Sequence, residues 1–110
     1  MEIIKKDKYS LVEAKGDSVV DFSSDLTKRH EEFKTENLVI DLGKYGNLEL
    51  EELLGFLELS NLHRAENKSF VIINKTIPID KIPDELIVVP TLPEAEDMVQ
   101  MDEIQRELGF

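Results

Sequence analysis

Two short apolar runs, Leu38-Val39-Ile40-Asp41-Leu42 and Ser69-Phe70-Val71-Ile72-Ile73, bracket a leucine-rich segment over residues 48–66. Each run has the length of a fully buried strand, and β-branched residues fill both. The segment between them has helical spacing. A strand, a helix of several turns and a second strand predict a right-handed βαβ crossover, with the two strands parallel. Parallel strands are covered by helices on at least one face. The rest of the chain therefore has to supply further strands alongside and helices on top.

Residues 2–6 and 9–15 predict two strands, with Ile3-Ile4 and Leu11-Val12 as their apolar content and Asp7-Lys8 as a tight connection. Gly16-Asp17 marks a turn, and Val19-Val20 predicts a brief further piece of strand. Ser23-Ser24-Asp25 offers cap residues for a helix over 26–36, with Leu26, His30 and Phe33 on one thin apolar face. After Ile73, Pro78 and Pro83 among polar residues predict a loop over 74–85, with one short helical turn around Asp80. Leu86-Ile87-Val88-Val89 is the last strand, stopped by Pro90, which has no N–H to give a ladder. In Thr91-Leu92-Pro93-Glu94 the threonine caps a final helix, Glu94 reaches back to it, and Pro93 fills a position where a missing donor does no harm. Met98, Met101, Ile104 and Leu108 predict the apolar stripe of that helix, and Gly109 its stop. The order predicts an α/β fold: a small mixed sheet with central parallel strands and helices mainly on one face, in one domain over residues 1–110.

The central segment carries more apolar surface than one helix face needs. At about 100° per residue, Leu50, Leu53, Leu54 and Leu57 share one side, while Leu48, Phe56, Leu59 and Leu62 gather near the other. One side packs on the sheet. The other is covered either by the last helix with its methionine stripe, or by a partner or second copy.

Composition narrows the function. The 110 residues fit one domain, and 41% hydrophobic with only 6% aromatic content predicts a core of Leu, Ile and Val. No run approaches the roughly 18 apolar residues of a membrane span, and the N-terminus has no signal-peptide pattern. Cysteine is absent from the sequence, which excludes disulfides and thiolate sites and points to a reducing cytoplasm. The net charge of -11, from 24 acids and 13 bases, repels phosphate backbones and anionic lipid, so neither nucleic acid nor membrane is expected as a partner. The acidity serves either solubility or steering toward a basic partner.

Candidate chemistry is sparse. Glu49, Glu51, Glu52 and Glu58 lie on one predicted helix, but an acid–base pair needs environments that separate the two pKa values, and a solvated face is the simpler reading. No calcium-loop or His-x-x-x-His spacing occurs. His30 and His63 fall on separate predicted helices, far apart, and His63 reads as structural. Gly43 and Gly46 read as turn residues. Tyr45, in the same turn, is either an exposed anchor or a lid over the sheet end. No cofactor, metal or enzymatic activity is expected.

The element order, the strand ending Asp41-Leu42, the apolar Leu53, Phe56 and Leu57, the strand at 69–73 and Glu94-Ala95 at the last helix together resemble the STAS domain, the anti-sigma factor antagonist family. That family's strand ends Asp-Leu-Ser, and after a short turn Asp-Ser-Ser-Gly opens a leucine-rich helix. Counted from Asp41, Asp-Ser-Ser-Gly falls here on Glu49-Leu50-Glu51-Glu52. The resemblance implies a regulatory protein-interaction module that meets a partner protein at the turn after the strand and the start of the helix. The residues placed there are Tyr45, Asn47, Leu48, Glu49, Glu51, Glu52 and Gly55, and the partner would present basic or apolar surface. It also implies that Glu51 occupies the position of the serine phosphorylated by a partner kinase. Glutamate accepts no phosphate and carries a permanent charge, so it either marks a lost site or mimics the phosphorylated one. Short acidic chains of this kind also resemble proteins named for the tRNA 3′-end ribonuclease of the metallo-β-lactamase class. That chemistry needs a His and Asp cluster around two zinc ions, which two histidines do not supply. An accessory role in RNA processing and a homodimeric structural protein are the alternatives.

Overall fold

The computed structural model describes residues 1–109. Among them, strands β1 (Glu2–Lys5), β2 (Ser10–Glu13), β3 (Leu38–Asp41), β4 (Phe70–Ile73) and β5 (Ile87–Val89) form one sheet in sequential order. β1 pairs antiparallel with β2, and β2 through β5 run parallel. The two central apolar runs are thus neighbouring parallel strands, in register from Leu38 opposite Phe70 to Asp41 opposite Ile73.

Alternation along the strands splits the core into two layers. Val12, Leu38, Ile40, Phe70 and Ile72 face one side, where α1 (Val19–Lys28), α2 (Leu50–Leu54) and α3 (Leu57–Ala65) cover them with Phe22, Leu26, Leu53, Phe56 and Leu59. Leu11, Val39, Val71 and Ile73 face the other side, under Ala95 and Val99 of α4 (Leu92–Glu107). Three helices therefore share one face and α4 holds the second alone. The loop after β4 contains one 3-10 turn, Ile79–Lys81, as the prolines and Asp80 predict. No helix among the described residues is long and apolar enough to cross a membrane.

Several local expectations are corrected. Val19-Val20 begins α1 instead of extending a strand: Ser18 caps the helix by accepting from the Asp21 N–H at 3.1 Å, and that cap outweighs the strand preference of two valines. The helix placed over 26–36 is instead the end of α1 followed by a 3-10 turn at His30–Glu32. The central segment is two helices, broken at Gly55-Phe56. A Cβ on Gly55 would sit 3.3 Å from Ser23 Oγ of α1 and 3.2 Å from the Glu52 carbonyl, so glycine permits the close approach at the break. The Phe22 and Phe56 rings meet there, with centroids 6.0 Å apart. The break sends Leu53, Phe56, Leu59 and His63 inward together and leaves Leu54 and Leu62 outside. The second apolar face of one long helix therefore does not form, and α4, on the opposite side of the sheet, covers none of it. On α4 itself the buried positions are Ala95 and Val99, while Met101, Ile104 and Leu108 of the predicted stripe are exposed.

Candidate functional site

The carboxyl ends of β3, β4 and β5 meet in the turn that follows β3. Asp41 Oδ1 accepts from the Gly43 N–H at 2.8 Å, closing an Asx turn. A Cβ on residue 43 would lie 2.9 Å from that oxygen, which explains the glycine. One strand over, the buried Asn74 ties two loops together. Its Nδ2 donates to the carbonyls of Leu42 and Tyr45, each at 3.2 Å. Its Oδ1 accepts from the Thr76 N–H and hydroxyl, both at 2.8 Å, and from the Ile77 N–H at 3.2 Å. The turn after β3 is therefore rigidly held, although it has no regular structure.

Tyr45 is a lid. Its hydroxyl donates to the Gly16 carbonyl at 3.3 Å, and Lys44 Nζ reaches the same oxygen at 2.6 Å. Gly16, in the turn before α1, has φ +82, a backbone conformation that favours glycine. Burial raises the Tyr45 phenol above its ordinary pKa, helped by the charges of Asp17 and Glu52. Between this turn, the loop after β4 and the start of α4 lies a crevice of about 470 Å³, lined by Asp41, Gly43, Tyr45, Asn74, Thr76 and Thr91 among others. Open parallel sheets place their binding sites outside the carboxyl ends of the strands.

The residues expected to meet a partner divide into two groups. Asn47, Glu49 and Glu51 are exposed. Glu52 is half-buried and accepts from the Glu49 N–H at 2.9 Å, half of a capping box that starts α2. Leu48, 7% exposed, belongs to the core. Gly55 stands at the break, against Ser23. The surface that the sequence points to is thus a short acidic rim, Asn47-Glu49-Glu51, on a frame built by Tyr45, Leu48, Glu52 and Gly55.

The amino ends of the strands hold what the sequence reading missed. His30 and His63 are not far apart: His30 Nε2 lies 2.9 Å from His63 Nδ1. The second nitrogen of His63 is 2.6 Å from the Glu36 carbonyl. A carbonyl only accepts, so His63 Nε2 carries the hydrogen and its Nδ1 accepts from His30. His63 is fully buried, and burial holds its pKa below the ordinary value, aided by the charges of His30 and Lys68 and opposed by the bond to Glu36 and the charge of Glu66. One signal was present in the sequence: His30 shares its predicted apolar face with Leu26 and Phe33. Nothing local announced His63 as its partner.

Beside this pair, the buried Asn37 uses its full bonding capacity. Its Nδ2 donates to the Lys8 carbonyl at 3.0 Å and to Glu103 at 2.8 Å. Its Oδ1 accepts from the Ser69 N–H at 2.9 Å and from Arg106 at 3.3 Å. Ser69 donates to Asp102 at 2.7 Å, and Tyr9 to Glu96 at 2.7 Å. Burial and the Glu96 carboxylate push the Tyr9 phenol up to about 12. Lys5 and Ser10 both donate to Glu36 Oε1, and the Lys5 bond holds that carboxyl below its ordinary range. Among the described residues, no three His, Asp or Glu side chains converge as a metal-holding group. Compared with protein-family models and with curated proteins, the sequence finds no match in either.

Proposed function

We propose that the chain is a non-enzymatic protein-interaction module of the kind the STAS resemblance implies, acting in the cytoplasm. It binds a partner with basic or apolar surface through the turn over residues 43–47 and the start of α2. The observation that carries this reading is the acidic rim of Asn47, Glu49 and Glu51, held outward by a turn whose polar groups are already bonded within the protein, with Glu49 and Glu51 lining a second crevice of about 450 Å³ together with Leu48, Ile77 and Lys81. A fixed surface of this kind loses little conformational entropy on binding. Glu51 is the second residue of α2, exposed and permanently charged, so the surface is held in one binding state and phosphate at that position does not switch it.

The test is affinity capture followed by measured dissociation constants for each captured protein. The wild type is compared with Glu49→Lys, Glu51→Lys and the distant control Glu66→Lys. The reading predicts that charge reversal at 49 or 51 weakens a partner at least about tenfold, as for charges that pair across an interface, while the control keeps it. Partners that bind all three variants equally well would refute it. Gly55→Arg is unsuitable for this purpose, because a side chain there strikes Ser23 and reports on packing.

A further inference from the structure

The outward side of α4 is the feature that neither the fold nor the proposed function uses. At about 100° per residue, Ile104 lies opposite Ala95, with Met101 and Leu108 close to one side of it. These three side chains are 53%, 48% and 66% exposed in the order Met101, Ile104, Leu108. Their spacings of three and four residues make them neighbours on the helix surface, so they form one apolar strip over the last two turns. Isolated exposed apolar residues are ordinary, whereas a contiguous strip marks a contact surface.

Charge identifies what the strip fits. α4 carries six acids and one base. That base, Arg106, is turned in toward Asn37, and the acids Glu94, Glu96, Asp102 and Glu103 accept from Thr91, Tyr9, Ser69 and Asn37. The exposed acids Asp97 and Glu107 remain beside the strip. The outward side of the helix is therefore apolar along one line, with a negative charge toward each end of that line, at Asp97 and Glu107. A second copy would bring the same negative charges against their counterparts, on a chain of net charge -11, and like charges facing each other oppose association. Anionic lipid is opposed by the same field.

We propose that this strip is a second docking surface, on the opposite side of the sheet from α2, and that its occupant is a basic amphipathic helix of another protein. The partner's apolar residues lie along Met101, Ile104 and Leu108, and its lysines or arginines meet Asp97 and Glu107. This is helix-against-helix recognition read at i, i+3, i+4 and i+7 spacing. It stands independently of the rim at Glu49 and Glu51, because the two surfaces lie on different layers of the fold.

The probe is a synthetic Leu/Lys peptide with leucines at that spacing, and a Leu/Glu peptide of the same pattern is its control. Binding is followed by calorimetry and by the methyl resonances of Met101 and Ile104. The proposal predicts that the Leu/Lys peptide binds and shifts those methyls, and that the Leu/Glu peptide does not bind. Ile104→Glu weakens binding at least about tenfold, as for a central apolar contact, and the milder Met101→Gln weakens it less. Asp97→Lys with Glu107→Lys weakens it and flattens its salt dependence. Leu62→Glu, at an exposed apolar residue of α3, leaves it unchanged. Unchanged thermal melts of the variants keep the comparison valid. Shifts centred elsewhere, equal binding of the Leu/Glu peptide, or a dimer that Ile104→Glu dissolves would each overturn the proposal.

Discussion

Asn37 and Asn74 are both buried, both follow or precede a central strand by one residue, and both bond across to a neighbouring loop, yet they serve opposite ends of the sheet differently. Asn37, at the amino ends, reaches three separate parts of the chain: the β1–β2 connection through Lys8, the start of β4 through Ser69, and α4 through Glu103 and Arg106. The Asn74 side chain, at the carboxyl ends, bonds only to the turn after β3 and to its own loop, while its backbone N–H donates to the Val89 carbonyl. The amino end is bridged by α4 and by the His30–His63 pair, with crevices of about 290 and 380 Å³ left beside the β1–β2 connection. The carboxyl end carries the acidic rim, beside a crevice of about 450 Å³. Polar groups spent on holding elements together cannot greet a partner, and those at the carboxyl end hold only the local frame.

The largest expected effect tests the first half of that contrast. Asn37→Ala strips partners from a buried N–H, a carbonyl and two charged side chains, and is expected to cost about 3 kcal/mol in denaturant unfolding. Asn74→Ala is expected to cost less, about 2 kcal/mol, and to act locally. Amide exchange should quicken at Thr76, Ile77 and residues 43–47, while the amides of β4 stay protected to the global limit. Equal costs and equally spread exchange for the two variants would erase the distinction between the ends.

The strands at both ends were legible because burial on two faces writes continuous β-branched runs, as in Leu38–Asp41 and Phe70–Ile73. The start of α4 was legible for a local reason, the threonine cap and Pro93. The break in the central segment was not, because Gly55 is needed only where Ser23, 32 positions away in sequence, comes within contact distance. The inward side of α4 misled for a related reason. Its last two turns lie over the amino ends of the strands, where Asn37 and Ser69 need polar partners, so Asp102, Glu103 and Arg106 turn inward and the more apolar residues turn out. The candidate rim was readable only through the family resemblance. The histidine pair was hidden because its two members come from separate helical segments, joined only by tertiary packing.

That pair gives the next, smaller effect. Burial holds His63 below its ordinary value of 6.5, so the unfolded chain takes up a proton that the folded protein refuses. Stability is full above about pH 6.5 and falls as pH drops toward the depressed folded value, by at most about 1.4 kcal/mol per pH unit. His63→Leu should flatten that slope between about pH 7.5 and about pH 5.5, measured by unfolding midpoints across the range. Glu36, whose carboxyl is lowered by Lys5, contributes its own loss only below its ordinary value of 4.5. A variant that keeps the full slope would assign it to some other group.

The smallest effect on stability is expected where the effect on binding is greatest. Glu51→Lys changes an exposed residue outside the core and should move the unfolding free energy by no more than about 0.5 kcal/mol. Glu49→Lys keeps the backbone N–H of the α2 capping box but removes its side-chain acceptor, and should cost about 1 kcal/mol. A loss of 2 kcal/mol or more at either position would make the rim part of the scaffold and remove the contrast with the amino end.

The most direct measurement is chemical-shift mapping of the isotopically labelled protein with a captured partner whose binding the Glu49 and Glu51 substitutions weaken. Perturbations are predicted at Tyr45, Asn47, Glu49, Glu51 and Leu54, with the resonances of Tyr9, Asn37, His63 and Ser69 unmoved. Shifts concentrated at the amino ends of the strands, with the turn after β3 silent, would contradict the account.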